Sequence, residues 1–121
     1  MDATTTTPTD QPKKRLDPDT NRLQISGGRR SNHFVFLSKI FLNKFEEVEL
    51  HALGQAISNC VEAAATIERF ELAKITNIRS FTYESEEGED NQRGRGGKKV
   101  KMIITIARSA KFFDLVDREN L

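Results

Sequence analysis

Glu47-Val48-Glu49-Leu50-His51-Ala52-Leu53-Gly54-Gln55-Ala56-Ile57 changes its hydrophobic period in mid-course, and the reading of that change decides the fold. Val48 and Leu50 alternate with Glu47, Glu49 and His51 at the two-residue period of a strand. From Ala56 onward the apolar residues recur at three and four, so that Ala56, Ile57, Cys60, Val61, Ala64 and Ile67 form one stripe of a helix reaching Arg69. Gly54 stands at the junction, where a backbone without a Cβ allows a sharp turn and a close approach. The unit is a short strand feeding a long helix.

Toward the N-terminus, Phe34, Leu37, Phe41 and Phe45 are spaced as a second amphipathic helix, and Phe36 and Ile40 widen its stripe. That width predicts cover on more than one side. Ser31 or Asn32 is the expected cap of its first turn. Before it, Gly27-Gly28-Arg29-Arg30 ends a strand in which Leu23 and Ile25 alternate with Arg22, Gln24 and Ser26. Two glycines expose backbone amides and two arginines supply guanidinium forks, a combination suited to phosphate; taken alone, the four residues fit a solvated turn equally well. Met1 to Thr20, rich in Thr, Pro and Asp, is expected to be a disordered tail, and its Lys13-Lys14-Arg15 run is read as solvated.

Toward the C-terminus, Phe70 and Leu72 close the central helix, and Ala73 to Tyr83 turns extended, with Ile75, Ile78, Phe81 and Tyr83 as its β-prone positions. Glu84 to Gly97 has no apolar residue and is expected to be a long, mobile connection. Val100, Met102, Ile104 and Ile106 then mark the clearest strand, within Lys99 to Arg108. Phe112, Phe113, Leu115 and Val116 predict a short final helix, with 117–121 as a tail.

The net charge of +1 argues against a uniformly basic surface, but its distribution is uneven. Glu84, Glu86, Glu87, Glu89 and Asp90 are followed by Arg93, Arg95, Lys98, Lys99 and Lys101, which cancel in the sum and not in space. Arg93-Gly94-Arg95-Gly96-Gly97 is RGG-like: glycine frees arginine to stack on bases or fork onto phosphate, although a solvated loop has the same composition. The length supports one domain, over 21–116. No apolar run is long enough to span a membrane, since Phe34 to Phe45 is broken by Ser38, Lys39, Asn43 and Lys44. One cysteine, Cys60, forms no intrachain disulfide, and the default compartment is reducing, nucleus or cytoplasm. Cys60 sits on the apolar stripe as a packing residue. His33 and His51 are isolated, with neither metal-ligand spacing nor an adjacent nucleophile, so the pattern speaks against catalysis and calls for no metal, cofactor or small-molecule substrate.

The element order is β-α-β-α-β-β, which predicts a two-layer α/β (α+β) sandwich with both helices on one sheet face and a long final hairpin. Val48-Glu49-Leu50-His51-Ala52-Leu53-Gly54-Gln55-Ala56-Ile57 resembles the strand-to-helix signature of the Alba family. The arginine-bearing loop before Phe34-Val35, the strand Lys101-Met102-Ile103-Ile104-Thr105-Ile106 and the following Lys111-Phe112 are similar to the small eukaryotic, plant-type members. The resemblance covers about Asn21 to Val116.

What the resemblance implies is a dimeric module that binds RNA or DNA through its first loop and hairpin tip, pairing through the central helix and last strands. Arg29 and Arg30 stand where the family has a lysine pair, with Ser31 in place of the usual proline. Where archaeal members carry basic residues around the glycine, this chain has His51, Leu53 and Gln55, so affinity is expected to lean on the loops. The expected nucleic-acid contacts are therefore Arg29, Arg30, Arg93, Arg95, Lys98 and Lys99, and the expected dimer or dimer–dimer contacts are Ile57, Val61 and Phe70. Two functions remain open: a nucleic-acid binder of RNA metabolism or chromatin, working as a homodimer or with a paralogue, and a dimerising scaffold subunit of a ribonucleoprotein particle related to RNase P or RNase MRP.

Overall fold

A computed structural model describes residues 17–84 and 98–116. Strand β1 (Arg22–Ile25) leads through helix α1 (Ser31–Lys44) to β2 (Glu47–Leu53). A single 3₁₀ turn (Gly54–Ala56) joins β2 to helix α2 (Ile57–Arg69), and β3 (Ala73–Glu84), β4 (Lys98–Arg108) and the one-turn α3 (Phe112–Leu115) follow. The sheet order is β1-β2-β4-β3, with β1 parallel to β2 and the other pairs antiparallel. The expected element order holds throughout.

The two-residue period of the strands sends alternate side chains to a covered face and an open one. Leu23, Ile25, Val48, Leu50, Ala52, Ile104 and Ile106 form the covered face, packed with Phe34, Phe41 and Leu42 of α1 and Cys60, Ala63, Ala64 and Ile67 of α2. Phe112 from α3 closes the core beside them. Leu42, Leu50, Ile67 and Ile106 have essentially no exposed surface, and burying each of them stabilises the fold by about 1.5–3 kcal/mol. Leu37 and Phe45 pack at the edge of the core, and Phe36 faces outward. Asp17 to Thr20, expected in the tail, lie on the domain: Pro18 is buried, and Lys44 Nζ bonds the Asp17 carboxylate at 2.9 Å and the Pro18 carbonyl at 2.7 Å.

Gly54 adopts φ 59°, a conformation that costs other residues about 1–2 kcal/mol, which explains the glycine at the strand-to-helix turn. In β3 the register shifts between Ile75 and Asn77, so Thr76 is an extra residue, and its hydroxyl donates to the Thr105 carbonyl at 3.3 Å. Ile75 and Ile78 consequently share the helix-bearing side, three residues apart instead of two.

Helix α2 ends in a Schellman motif. Leu72 N–H donates to the Ile67 carbonyl at 3.0 Å and Glu71 N–H to the Glu68 carbonyl at 3.0 Å, with Glu71 at φ 65° where glycine is usual. Its side chain meets Lys111 at 3.0 Å in an exposed pair worth under about 1 kcal/mol. Relief of the left-handed strain outweighs loss of that pair, so Glu71→Gly is expected to stabilise the domain by about 0.5–1 kcal/mol in chemical denaturation; a lower midpoint would count against the strain.

Candidate nucleic-acid interface

Because β1 and β2 are parallel and each runs into a helix, the loop over 26–30, the Gly54 turn and both helix N-termini emerge at one end of the sheet. β4 is antiparallel to β2, with Leu53 opposite Lys101, so the β3–β4 hairpin projects from that same end. Arg29, Arg30 and Lys98 are exposed there, and Lys99 and Lys101 are half-buried. Arg93 and Arg95 lie outside the described residues. Thus four of the six expected contacts are brought to one end, joined by Lys101.

The first loop is not built as expected. Neither Ser31 nor Asn32 caps α1: Arg30 holds the cap position, no side chain bonds the first-turn amides, and no acid lies in that turn. Ser31 is already inside the helix, and only a backbone bond, His33 N–H to the Arg30 carbonyl at 3.0 Å, closes the turn. The helix start therefore keeps its partial positive charge beside two arginines. The His33 ring packs edge-on against Phe34 at 5.1 Å.

Asn59, which the sequence pattern did not single out, holds this loop in place. From α2 its side-chain amide donates to the Ser26 carbonyl at 3.0 Å and to the Arg29 carbonyl at 2.6 Å. Both partners are 30 or more residues away. An asparagine two residues past the start of the helix was the available signal.

At the opposite end several cations are engaged, although Lys74 makes no ion pair among the described residues. Lys111 pairs with Glu71, Lys44 with Asp17, and Arg108 Nε donates to the Leu42 carbonyl at 2.8 Å while its guanidinium lies 4.6 Å from the Phe113 ring centre. On the open sheet face Glu49 accepts from His51 Nε2 at 2.9 Å and lies 3.8 Å from Arg22. The hydrogen bond from His51 holds the Glu49 carboxyl below its ordinary value. Among the described residues, no ion pair ties down Arg29, Arg30, Lys98, Lys99 or Lys101.

The expected dimer contacts occupy two places. Ile57 is half-buried and Val61 is 46 % exposed, on the outer side of α2. Phe70 is 56 % exposed at the far end of that helix, under the Arg69 guanidinium at 5.5 Å. Thirteen residues at 1.5 Å each separate Ile57 from Phe70 by roughly 20 Å. Ile78 and Val100, 55 % and 43 % exposed, extend the helix-bearing face along the hairpin and were not singled out in the sequence. Cys60 is fully buried with its thiol directed at the Leu50 carbonyl, and burial pushes its pKa to about 11. Among the described residues no cluster of His, Cys, Asp and Glu could hold a metal ion.

A small α/β domain thus gathers at one end glycines, helix N-termini and cations that make no ion pair among the described residues. The Alba family model matches residues 21–83, and the chain belongs to the Alba family. A protein of Arabidopsis thaliana, described only as uncharacterized, is 33 % identical over 101 residues, covering 83 % of this chain and 75 % of the relative. Two solved structures share the fold. ALBA1 from Trypanosoma brucei superposes with a TM-score of 0.60 at 21 % identity, over 79 % of this chain and 75 % of its own. Alba from Thermoplasma volcanium gives 0.56 at 22 %, over 72 % of this chain and 99 % of its own. Proteins of this family are generally dimeric and bind nucleic acid, without catalysing a reaction.

Asn59→Ala removes two bonds to solvent-accessible carbonyls, so a stability loss of only about 1 kcal/mol is expected. Nucleic-acid affinity should fall as well, because the arginines lose their fixed position. Chemical denaturation and a binding titration on the same variant measure both; unaltered affinity would show that the loop needs no anchor.

Proposed function

We propose that this chain is a dimeric, non-enzymatic RNA- or DNA-binding protein of RNA metabolism or chromatin, working in nucleus or cytoplasm. Arg29, Arg30 and the uncapped start of α1 contact phosphate, and Lys98 and Lys99 of the hairpin hold the backbone further out. Arg93 and Arg95, outside the described residues, are further contacts by their RGG-like sequence. The observation that carries this reading is the convergence of cations with no ion pair among the described residues at the one end where both helix N-termini emerge. Backbone amides and guanidinium forks at a helix start suit phosphate oxygens without reading sequence.

Replacing Arg29 and Arg30 together by Ala should flatten the slope of log affinity against log salt by about 1 to 2 units, one for each phosphate that the variant no longer neutralises. A folded double variant with the parent's slope would refute the assignment. A scaffold subunit that works through protein contacts would show no such salt dependence in the parent.

The dimer forms on the helix-bearing side, through Ile57 and Val61 of α2 together with Ile78 and Val100 of the hairpin, where apolar side chains stay exposed on one chain. Phe70, at the other end of α2, serves contacts between dimers. Sedimentation at micromolar concentration should give a dimer, and Val61→Asp should shift it to monomer; a monomeric parent would exclude this interface.

A further inference from the structure

The sheet face that the helices leave open carries a feature that the phosphate contacts do not use. Strand parity and register set Gln24, His51, Ile103 and Arg79 in one row across it, then Leu53, Lys101 and Phe81 in the next row outward, with Lys99 beyond. Phe81 is 42 % exposed and Arg79 is exposed beside it, whereas Gln24 is exposed on β1, three strands across the sheet. A cavity of about 100 Å³, lined by Gln24, His51, Leu53 and Lys101, lies in the same region.

The charge on this half of the face has one sign. Glu47 and Glu49 belong to the other half; Glu49 is held by His51 and Arg22, with Arg79 a weaker Coulombic neighbour across the sheet. Glu84, opposite Lys98, points to the helix-bearing side with Thr82 and Val100. Among the described residues Arg79, Lys99 and Lys101 therefore surround Phe81 with no carboxylate in that half. A solvent-facing phenyl ring framed by cations complements a nucleobase and its phosphates: the ring stacks on the base and the cations hold the backbone. The Gln24 amide, about 14 Å away across three strand spacings, offers a donor and an acceptor to the edge of a neighbouring base at the cavity. A duplex keeps its base faces stacked inside, so such a ring needs a single strand.

We propose that the open sheet face around Phe81 is a stacking platform for single-stranded nucleic acid, with Phe81 taking a base and Arg79, Lys99 and Lys101 taking its phosphates. It rests on the nucleic-acid reading above and adds a second surface that separates single strands from duplexes.

The full chain has no tryptophan, so Phe81→Trp introduces a single reporter. Titration with oligouridine and oligothymidine should quench the indole saturably, and duplex DNA should not. Phe81→Ala should weaken single-strand binding by roughly 5- to 100-fold while duplex affinity is retained and circular dichroism shows an intact fold. Parent-level single-strand affinity in Phe81→Ala, equal losses on both ligands, or an indole that no strand quenches would each overturn the platform. If the parent binds and Arg29→Ala/Arg30→Ala flattens its salt slope while Phe81→Ala is neutral, the platform alone falls. If the parent binds no nucleic acid at all, both readings fall together.

Discussion

The parallel pairing of β1 with β2 is the constraint on which the rest of the molecule depends. Neighbouring parallel strands need a crossover, and α1 supplies it. Since each of these strands runs directly into a helix, both helix N-termini and both loops must leave the sheet at the same end. β4 lies antiparallel to β2, so it has to start at that end, and the hairpin it shares with β3 is aimed outward there. The domain is thus polar before any side chain is chosen. Arginine in the first loop and lysine in the hairpin reinforce a bias that the helix dipoles already supply.

Connectivity also explains how a chain of net charge +1 presents a basic end. β2 has seven residues, so its ends lie roughly 23 Å apart, nearly three Debye lengths at physiological salt. Glu46, Glu47 and Glu71, at the far end, are screened from a ligand at the loops. Lys44 and Lys111, also far away, are neutralised locally by Asp17 and Glu71. What a phosphate would meet at this end is the local balance among Arg29, Arg30, Lys98, Lys99 and Lys101, and the total charge says little about it.

Much of this was legible in the sequence because it rests on period. Val48 and Leu50 against Glu49 and His51 mark a strand, and the shift to Cys60, Ala64 and Ile67 marks a helix; burial follows both except at His51, which is buried on the open face. The loop arginines were legible through their glycines. What escaped depends on contacts between distant residues. Asn59 reaches back across 30 residues to fix the loop, and nothing in its neighbours announces that bond. The cap was misread because Ser31 and Asn32 are good capping residues locally, whereas packing of Phe34 and Val35 sets the helix phase so that the turn starts at Arg30. Glu71 at a left-handed position breaks the usual glycine rule, yet the end of α2 at Arg69 was legible from the apolar stripe alone.

The register shift at Thr76 shows how one residue can divide a surface between two tasks. Strict alternation from Ile75 would carry Asn77, Arg79 and Phe81 to the helix-bearing side and leave Ile78 and Ser80 on the open side. Arg79 would then lie against the apolar face shared with Val61 and Val100, at the desolvation cost of an unpaired guanidinium in any interface formed there. The extra residue inverts that assignment for the whole outer half of β3. Ile78 joins Ile104 and Val100 on the side suited to another apolar surface, and Arg79 and Phe81 join Lys101 on the side suited to a charged, stackable ligand. Under the proposed function the hairpin would take part in assembly through one face and keep the other for nucleic acid, an allocation that follows from the bulge as much as from the composition of the strand.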